Sequence, residues 1–157
     1  KSRIFPDKTW EEACSIWYGL YIWGGLSLYW ISPWIIMSGA VENSPVYVGM
    51  CVAIFSLGVF FHYAADMQKH AHMKLKPGTL ITDGLMSHCR NTNYFGEFLI
   101  YLSLALMSHH WVPIAILVSF MAIIWFPNMR QKDKSLSRYP EYEDYKKRSS
   151  LLIPFLW

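Results

Sequence analysis

The chain has 157 residues, of which 54% are hydrophobic, 17% aromatic and only 16% charged, against roughly 25% charged in an ordinary soluble domain. That excludes a disordered chain, which is poor in aromatics and rich in charge. Cys14, Cys51 and Cys89, three in number and far apart, exclude a disulfide scaffold, and the net charge of +3 acquires meaning only from where the charges lie.

The first apolar stretch covers residues 14–31 and holds no charge. Its Trp17, Tyr21, Trp23, Tyr29 and Trp30 suit a membrane interface or protein neighbours. Residues 32–39, with Pro33, read as a short interfacial helix. A second uncharged stretch, 46–65, ends in His62, Asp66 and Lys69, with Gln68 and His70 beside them. Spacings of four and three place the first three on one helical face. A helix end emerging from lipid would show the same residue types.

The third stretch, 93–108, opens from Arg90, Asn91, Thr92, Asn93 and Tyr94 and carries one carboxylate, Glu97. A carboxylate inside an apolar helix costs about 2.5–3.5 kcal/mol on insertion scales. Glu97 is therefore expected to face a polar cavity, toward Arg90 or Arg130, with Asn93 as a further partner. The plainer alternative is that it reaches back to the interface from the helix end. The fourth stretch, 111–126, is uncharged and is expected to stop at Pro127. At 1.5 Å per residue the last two stretches reach about 25 Å, short of a ~30 Å hydrocarbon core. Trp111 and Trp125 at the interfaces would absorb the mismatch.

Buried helices of a soluble protein would carry polar residues along one face; these stretches are apolar all round. The cations fall in three groups: Lys1, Arg3 and Lys8; Lys69, Lys74, Lys76 and Arg90; and Arg130, Lys132, Lys134, Arg138, Lys146, Lys147 and Arg148. The links at 41–45 and 109–110 have none. An all-α integral membrane protein follows, one domain over residues 1–157. It has about four transmembrane helices, with a basic loop and a basic C-terminal tail on the cytoplasm-like side.

In the tail, Tyr139, Tyr142 and Tyr145 recur at intervals of three, and Ile153-Pro154-Phe155 returns to apolar character. Such a tail can fold over a cofactor's phosphates while its end meets the bilayer again; spacing alone does not choose between lipid and phosphate. The sequence has no paired Cys/His spacing and no Gly-rich phosphate loop, so no metal site is expected.

Five signatures occur in order: Asp66-Met67-Gln68-Lys69; Gly84-Leu85; Arg90-x-x-Asn93-Tyr94-Phe95-Gly96-Glu97; Arg138-Tyr139-Pro140-x-Tyr142-x-x-Tyr145; and Ile153-Pro154-Phe155. Over residues 58–157 the chain resembles the C-terminal domain of the steroid 5-alpha-reductase family, including its uncharacterised branch. Sterol reductases and isoprenylcysteine carboxyl methyltransferases are more distant relatives. The resemblance implies an NADPH site at the cytosolic helix ends. Asp66, Asn93 and Glu97 look like cofactor contacts, with His62, Lys69, Arg90 and Tyr94 beside them. Arg130, Asp133 and Tyr139 occupy the region where the family's tail grips the cofactor. Two departures stand out: Arg90-Asn91-Thr92-Asn93 replaces the family's frequent Arg-His-Pro-Asn, and His62 stands where steroid reductases carry an Asn. The family usually has seven spans, its substrate-facing acid lying upstream of this domain, where four are counted here.

The resemblance thus implies an oxidoreductase acting on CH–CH groups, which reduces a conjugated double bond of a sterol-like or other lipid substrate with hydride from NADPH. No catalytic acid is evident; Tyr101 is the candidate within the third stretch. Two alternatives stand beside it. One is a non-catalytic membrane subunit that keeps the fold within a larger assembly, and the other a methyltransferase using S-adenosylmethionine. The relatives of the second kind usually carry a Glu-Glu pair where this chain has Lys132-Asp133-Lys134. The expected partners are membrane lipids, a lipid-like substrate and partner membrane subunits, with no nucleic acid. The expected location is the endoplasmic reticulum or another organelle membrane.

Overall fold

Ser44 and Pro45 show how the longest helix starts. The Ser44 hydroxyl accepts the Tyr47 amide at 3.3 Å, and Pro45 takes the first helical position, where its missing N–H costs nothing. The computed structural model describes residues 16–156. Lys1, Arg3, Lys8 and Cys14 lie outside them, as does the side chain of Tyr21.

Helix α1 (Ile16–Ser27) passes through a 3-10 turn, Leu28–Trp30, into α2 (Ile31–Ser38). Helix α3 (Pro45–Leu75) has 31 residues, about 46 Å by its rise. It outreaches a ~30 Å hydrocarbon core, so its polar end from Asp66 onward projects beyond the apolar part. Pro77 and Gly78, the latter at φ +77°, follow its end, as expected where a helix cannot continue. Helix α4 (Thr92–Met107) runs back antiparallel to α3. At their crossing a Cβ on Gly58 would meet the Gly96 carbonyl oxygen at 2.8 Å, and one on Gly96 would collide with the His62 backbone. Only glycine at both positions allows this approach.

Helix α5 (Trp111–Phe120), a π turn (Met121–Trp125) and α6 (Phe126–Leu136) form one continuous rod. The expectation that Pro127 ends the helix is therefore corrected. The Phe126 amide reaches back five residues to the Met121 oxygen, and this wider turn relieves the crowding that a proline ring imposes on the turn before it. Helix α7 (Tyr142–Arg148) closes the tail.

Among the described residues there is no strand, only isolated bridges at Cys89–Ser150 and Ile153–Leu156. Two helices, Pro45–Leu75 and Trp111–Leu136, are long and apolar enough to cross a membrane. The four-span expectation narrows to these two by length, because α1 is interrupted after 12 residues and α4 has only 16. The two links without Lys or Arg meet at one end: Asn43 bonds His109 at 2.6 Å and the Met107 oxygen at 3.1 Å. The two basic segments among the described residues gather at the other end, above a core of Leu117, Trp125, Met129 and Leu152 packed against Tyr94, Phe98 and Tyr101.

Candidate functional site: a basic cavity and an apolar cleft

The basic end is tied together around Arg90, which is 7% exposed. Its Nε and Nη2 donate to the two carboxylate oxygens of Asp133 at 3.1 and 3.2 Å. Its Nη1 donates to the Lys146 and Ser149 carbonyls and to the Ser149 hydroxyl. A planar guanidinium with five donors can serve all of these at once. Lys132 then donates to the Arg90 carbonyl at 2.7 Å and to Asn91 Oδ1 at 3.0 Å, while Asn91 Nδ2 donates to the Leu151 oxygen at 2.9 Å. The Tyr145 hydroxyl donates to the Met86 oxygen at 2.6 Å. The loop before α4, the polar part of α6 and the tail thus become one body.

A cavity of about 360 Å³ opens beside this knot. Lys69, Lys76, Arg90, Lys132 and Arg138 line it together with His72, Tyr139 and Tyr145, and no carboxylate among the described residues does. The Arg138 guanidinium lies 5.0 Å from the Tyr139 ring centroid. Lys132 stands well past Phe126, in the polar extension of the rod. Burial, reinforced by the charge of Lys69 and opposed by Asp133 and Asp66, pushes its ammonium down to about 8. Burial also pushes the Tyr145 phenol up to about 12. A pocket with this lining attracts phosphates and other multiply charged anions.

From this cavity a line of polar residues descends along α3 through Lys69, Asp66 and His62. His62 Nδ1 lies 3.2 Å from the Asn93 carbonyl oxygen and 4.0 Å from Glu97 Oε1. Glu97 is also part of the wall of a second cavity, of about 670 Å³, between α1, α4 and the rod. Its lining is apolar except for Glu97, Tyr29, Tyr101 and Ser119. The Tyr29 and Tyr101 rings stack at 3.8 Å with 7° between their planes, and Trp125 backs Tyr101 at 6.5 Å.

Of the residues expected at a cofactor, Lys69, Arg90 and Tyr139 line the basic cavity, and Asp133 holds Arg90 behind it. His62, Asp66, Asn93 and Glu97 lie on the polar line between the cavities, and Tyr94 packs into the core. Two expectations are corrected. Glu97 has His62 as its ionic neighbour, whereas the Arg90 guanidinium is committed to Asp133 and Ser149. Arg130 is exposed and lines neither cavity. The buried face of the rod runs through Trp125, Met129, Lys132 and Leu136, at spacings of four, three and four. Arg130, one residue from Met129, is turned about 100° away from it. That stripe was the signal by which Lys132, missed as a site residue, could have been found. Arg138, His72 and Tyr29 were also missed as site residues; Arg138 opens the Arg138-Tyr139-Pro140 signature, whereas nothing local distinguishes His72 and Tyr29.

A model of the family described as Protein of unknown function (DUF1295) matches residues 7–149, so the chain belongs to that family. No curated protein matches it.

Proposed function

We propose that this DUF1295 member is a membrane-embedded reductase that takes NADPH at its basic cavity and a lipid-like substrate in its apolar cleft. The carrying observation is the carboxylate-free cavity lined by Lys69, Lys76, Arg90, Lys132 and Arg138, a lining suited to a dinucleotide's phosphates. The resemblance to the steroid 5-alpha-reductase family supports the choice of dinucleotide. The bound cofactor supplies hydride for a conjugated double bond. Lys69, Lys76 and Arg138 hold phosphates, and Tyr139 offers a ring and a hydroxyl. His62 and Asn93 occupy the polar line toward the cleft. Tyr101, beside Glu97 and stacked on Tyr29, is placed to deliver the proton that accompanies hydride addition.

Calorimetric titration of the intact protein in nanodiscs tests this reading. NADPH is expected to bind more weakly as salt rises. Arg138→Gln is expected to weaken binding several-fold, and Arg130→Gln to leave it unchanged. Binding of S-adenosylmethionine in place of NADPH would point to the methyltransferase alternative. No nucleotide binding by the folded protein would point to the non-catalytic subunit.

The same proposal has α1–α2 and α4 crossing with the two long helices, making four spans with the basic end on the cytoplasm-like side. Such short elements need a thinned bilayer or interfacial anchors. Thiol labelling of Glu42→Cys and Glu141→Cys is then expected from opposite faces of the membrane. Reaction of both from one face would exclude the arrangement.

A further inference from the structure

Beyond Pro127 the described chain hides its apolar side chains: Met129, Tyr142, Tyr145 and Leu152 are all at most 6% exposed. The exception is one turn at residues 153–156, where Ile153 is 37%, Leu156 62% and Phe155 79% exposed. The turn is held in a definite shape. The Leu156 amide donates to the Ile153 oxygen at 3.1 Å, Pro154 takes its second position, and Phe155 takes its third at φ +65°. A turn of this form favours glycine or asparagine there. A bulky aromatic with positive φ is an outlier that points toward a function for its side chain.

The place of the turn is set as firmly as its shape. Cys89 Sγ donates to the Leu152 oxygen at 3.0 Å, and Asn91 holds the Leu151 oxygen. The turn therefore hangs at the start of α4, where the chain passes from polar to apolar sequence. Lys146, Lys147 and Arg148 close α7 just before it. Of the acids of this segment, Asp144 pairs with Lys147 at 3.0 Å, and Glu141 and Glu143 lie at the far end of the helix. Lys146 and Arg148 remain the cations nearest the turn in sequence, and the His88 ring lies against Phe155, 4.7 Å between centroids.

We propose that residues 153–156 form a membrane-surface anchor, with Phe155 and Leu156 inserted at the boundary of head groups and acyl chains. Lys146, Lys147 and Arg148 meet anionic lipid head groups beside them. The bilayer is the occupant because the turn lies level with the start of an apolar helix and is flanked by cations. One side of the Phe155 ring meets His88, and the bilayer gives its exposed remainder the apolar contact that offsets the strain. Because residues 149–152 carry the contacts to Arg90 and Asn91, docking also steadies the wall of the basic cavity. This inference is independent of the reductase reading.

The test uses the full chain with photoreactive benzoylphenylalanine in place of Phe155, in vesicles of phosphatidylcholine with and without phosphatidylserine. The same analogue replaces Phe60, exposed on the apolar part of α3, as the lipid-facing reference, and Glu143 as the solvent-facing one. Mass spectrometry is expected to find lipid adducts at positions 155 and 60 but not at 143. The yield at 155 is expected to rise with phosphatidylserine and to fall several-fold when Lys146, Lys147 and Arg148 are all replaced by glutamine. Loss of the lipid adduct at 155 while 60 still reacts would overturn the proposal. So would a cross-link from 155 to a second protein chain, or an equal lipid yield at 143. Equal yields at 155 in both kinds of vesicle would overturn its anionic-lipid part.

Discussion

The basic end of the bundle and its apolar cleft lie at opposite ends of one line of polar residues, yet they are held by different forces. At the basic end, segments up to 63 residues apart in sequence are joined by directional bonds: Cys89 to Leu152, Asn91 to Leu151, Tyr145 to Met86, Arg90 to Asp133. In the cleft the walls are stacked rings and aliphatic side chains of α1, α4 and the rod. Buried polar groups must all find partners, so each of them fixes its neighbours. Apolar walls need only complementary volume. The first region is consequently sensitive to loss of an atom, the second to a gain.

Removal of Arg90 is the severest challenge to the basic end. Arg90→Ala is expected to cost about 3–5 kcal/mol, the range for stranding one partner of a buried ion pair, read as a lowered thermal midpoint. Arg90→Lys is expected to recover little of it, because a single ammonium cannot reach Asp133 and Ser149 together. Retention of wild-type stability in Arg90→Ala would mean that the knot contributes nothing.

The next effect depends on pH. Lys132 is pushed from 10.5 down to about 8, so between these values the unfolded chain binds more protons and stability rises with pH. Tyr145 is pushed from 10.0 up to about 12; over that window the folded chain binds more protons and stability falls. A maximum near pH 10 is expected, with a rising limb of up to about 3 kcal/mol. Lys132→Met should flatten the rising limb alone, and an unchanged profile in that variant would rule out Lys132 as its source.

For the apolar part of the bundle, at the crossing beside the cleft, Gly96→Ala is expected to force α3 and α4 apart and cost about 1–3 kcal/mol, as overpacking does. Gly49→Ala, where nothing lies within 4 Å of the added carbon, is the matched control and should be neutral or better. Equal effects of the two would show that the crossing is looser than its geometry. The smallest effect is close to zero. Phe155→Gly is expected to change the stability of the protein in detergent by less than about 1 kcal/mol: relief of the left-handed penalty of roughly 1–2 kcal/mol is set against about 0.5–1 kcal/mol for the entropy of glycine and about 0.5–1.5 kcal/mol for the lost ring contact with His88. A loss well beyond that would show that Phe155 serves the fold itself.

Much of the fold was legible from local pattern. The uncharged stretches became helices, with the 3-10 break at 28–30 and the helix 31–38 falling where Pro33 and small residues marked a change. Pro127 misled because a proline predicts a stop only in a regular helix, and the π turn before it accommodates the ring. In the site, His62, Asp66 and Lys69 share a face because spacing is enough to decide that. Arg130 was named because it follows Pro127 within one turn, whereas the stripe through Trp125, Met129 and Leu136 carries Lys132 to the cavity.

The sequence by itself determined an apolar, all-helical chain in which the cations of the described residues, from Lys69 onward, gather at one end, since hydropathy and charge placement are properties of short segments. Only the tertiary structure decided which cation pairs with which carboxylate, that Tyr29 and Tyr101 stack, and that Glu97 meets His62. Those outcomes depend on how α3 and α4 cross at Gly58 and Gly96, and on where the tail returns. The partners His62–Glu97, Arg90–Asp133 and Tyr29–Tyr101 lie 35 to 72 residues apart, too far for any local rule to relate them, and packing and the pairing of buried polar groups select them together.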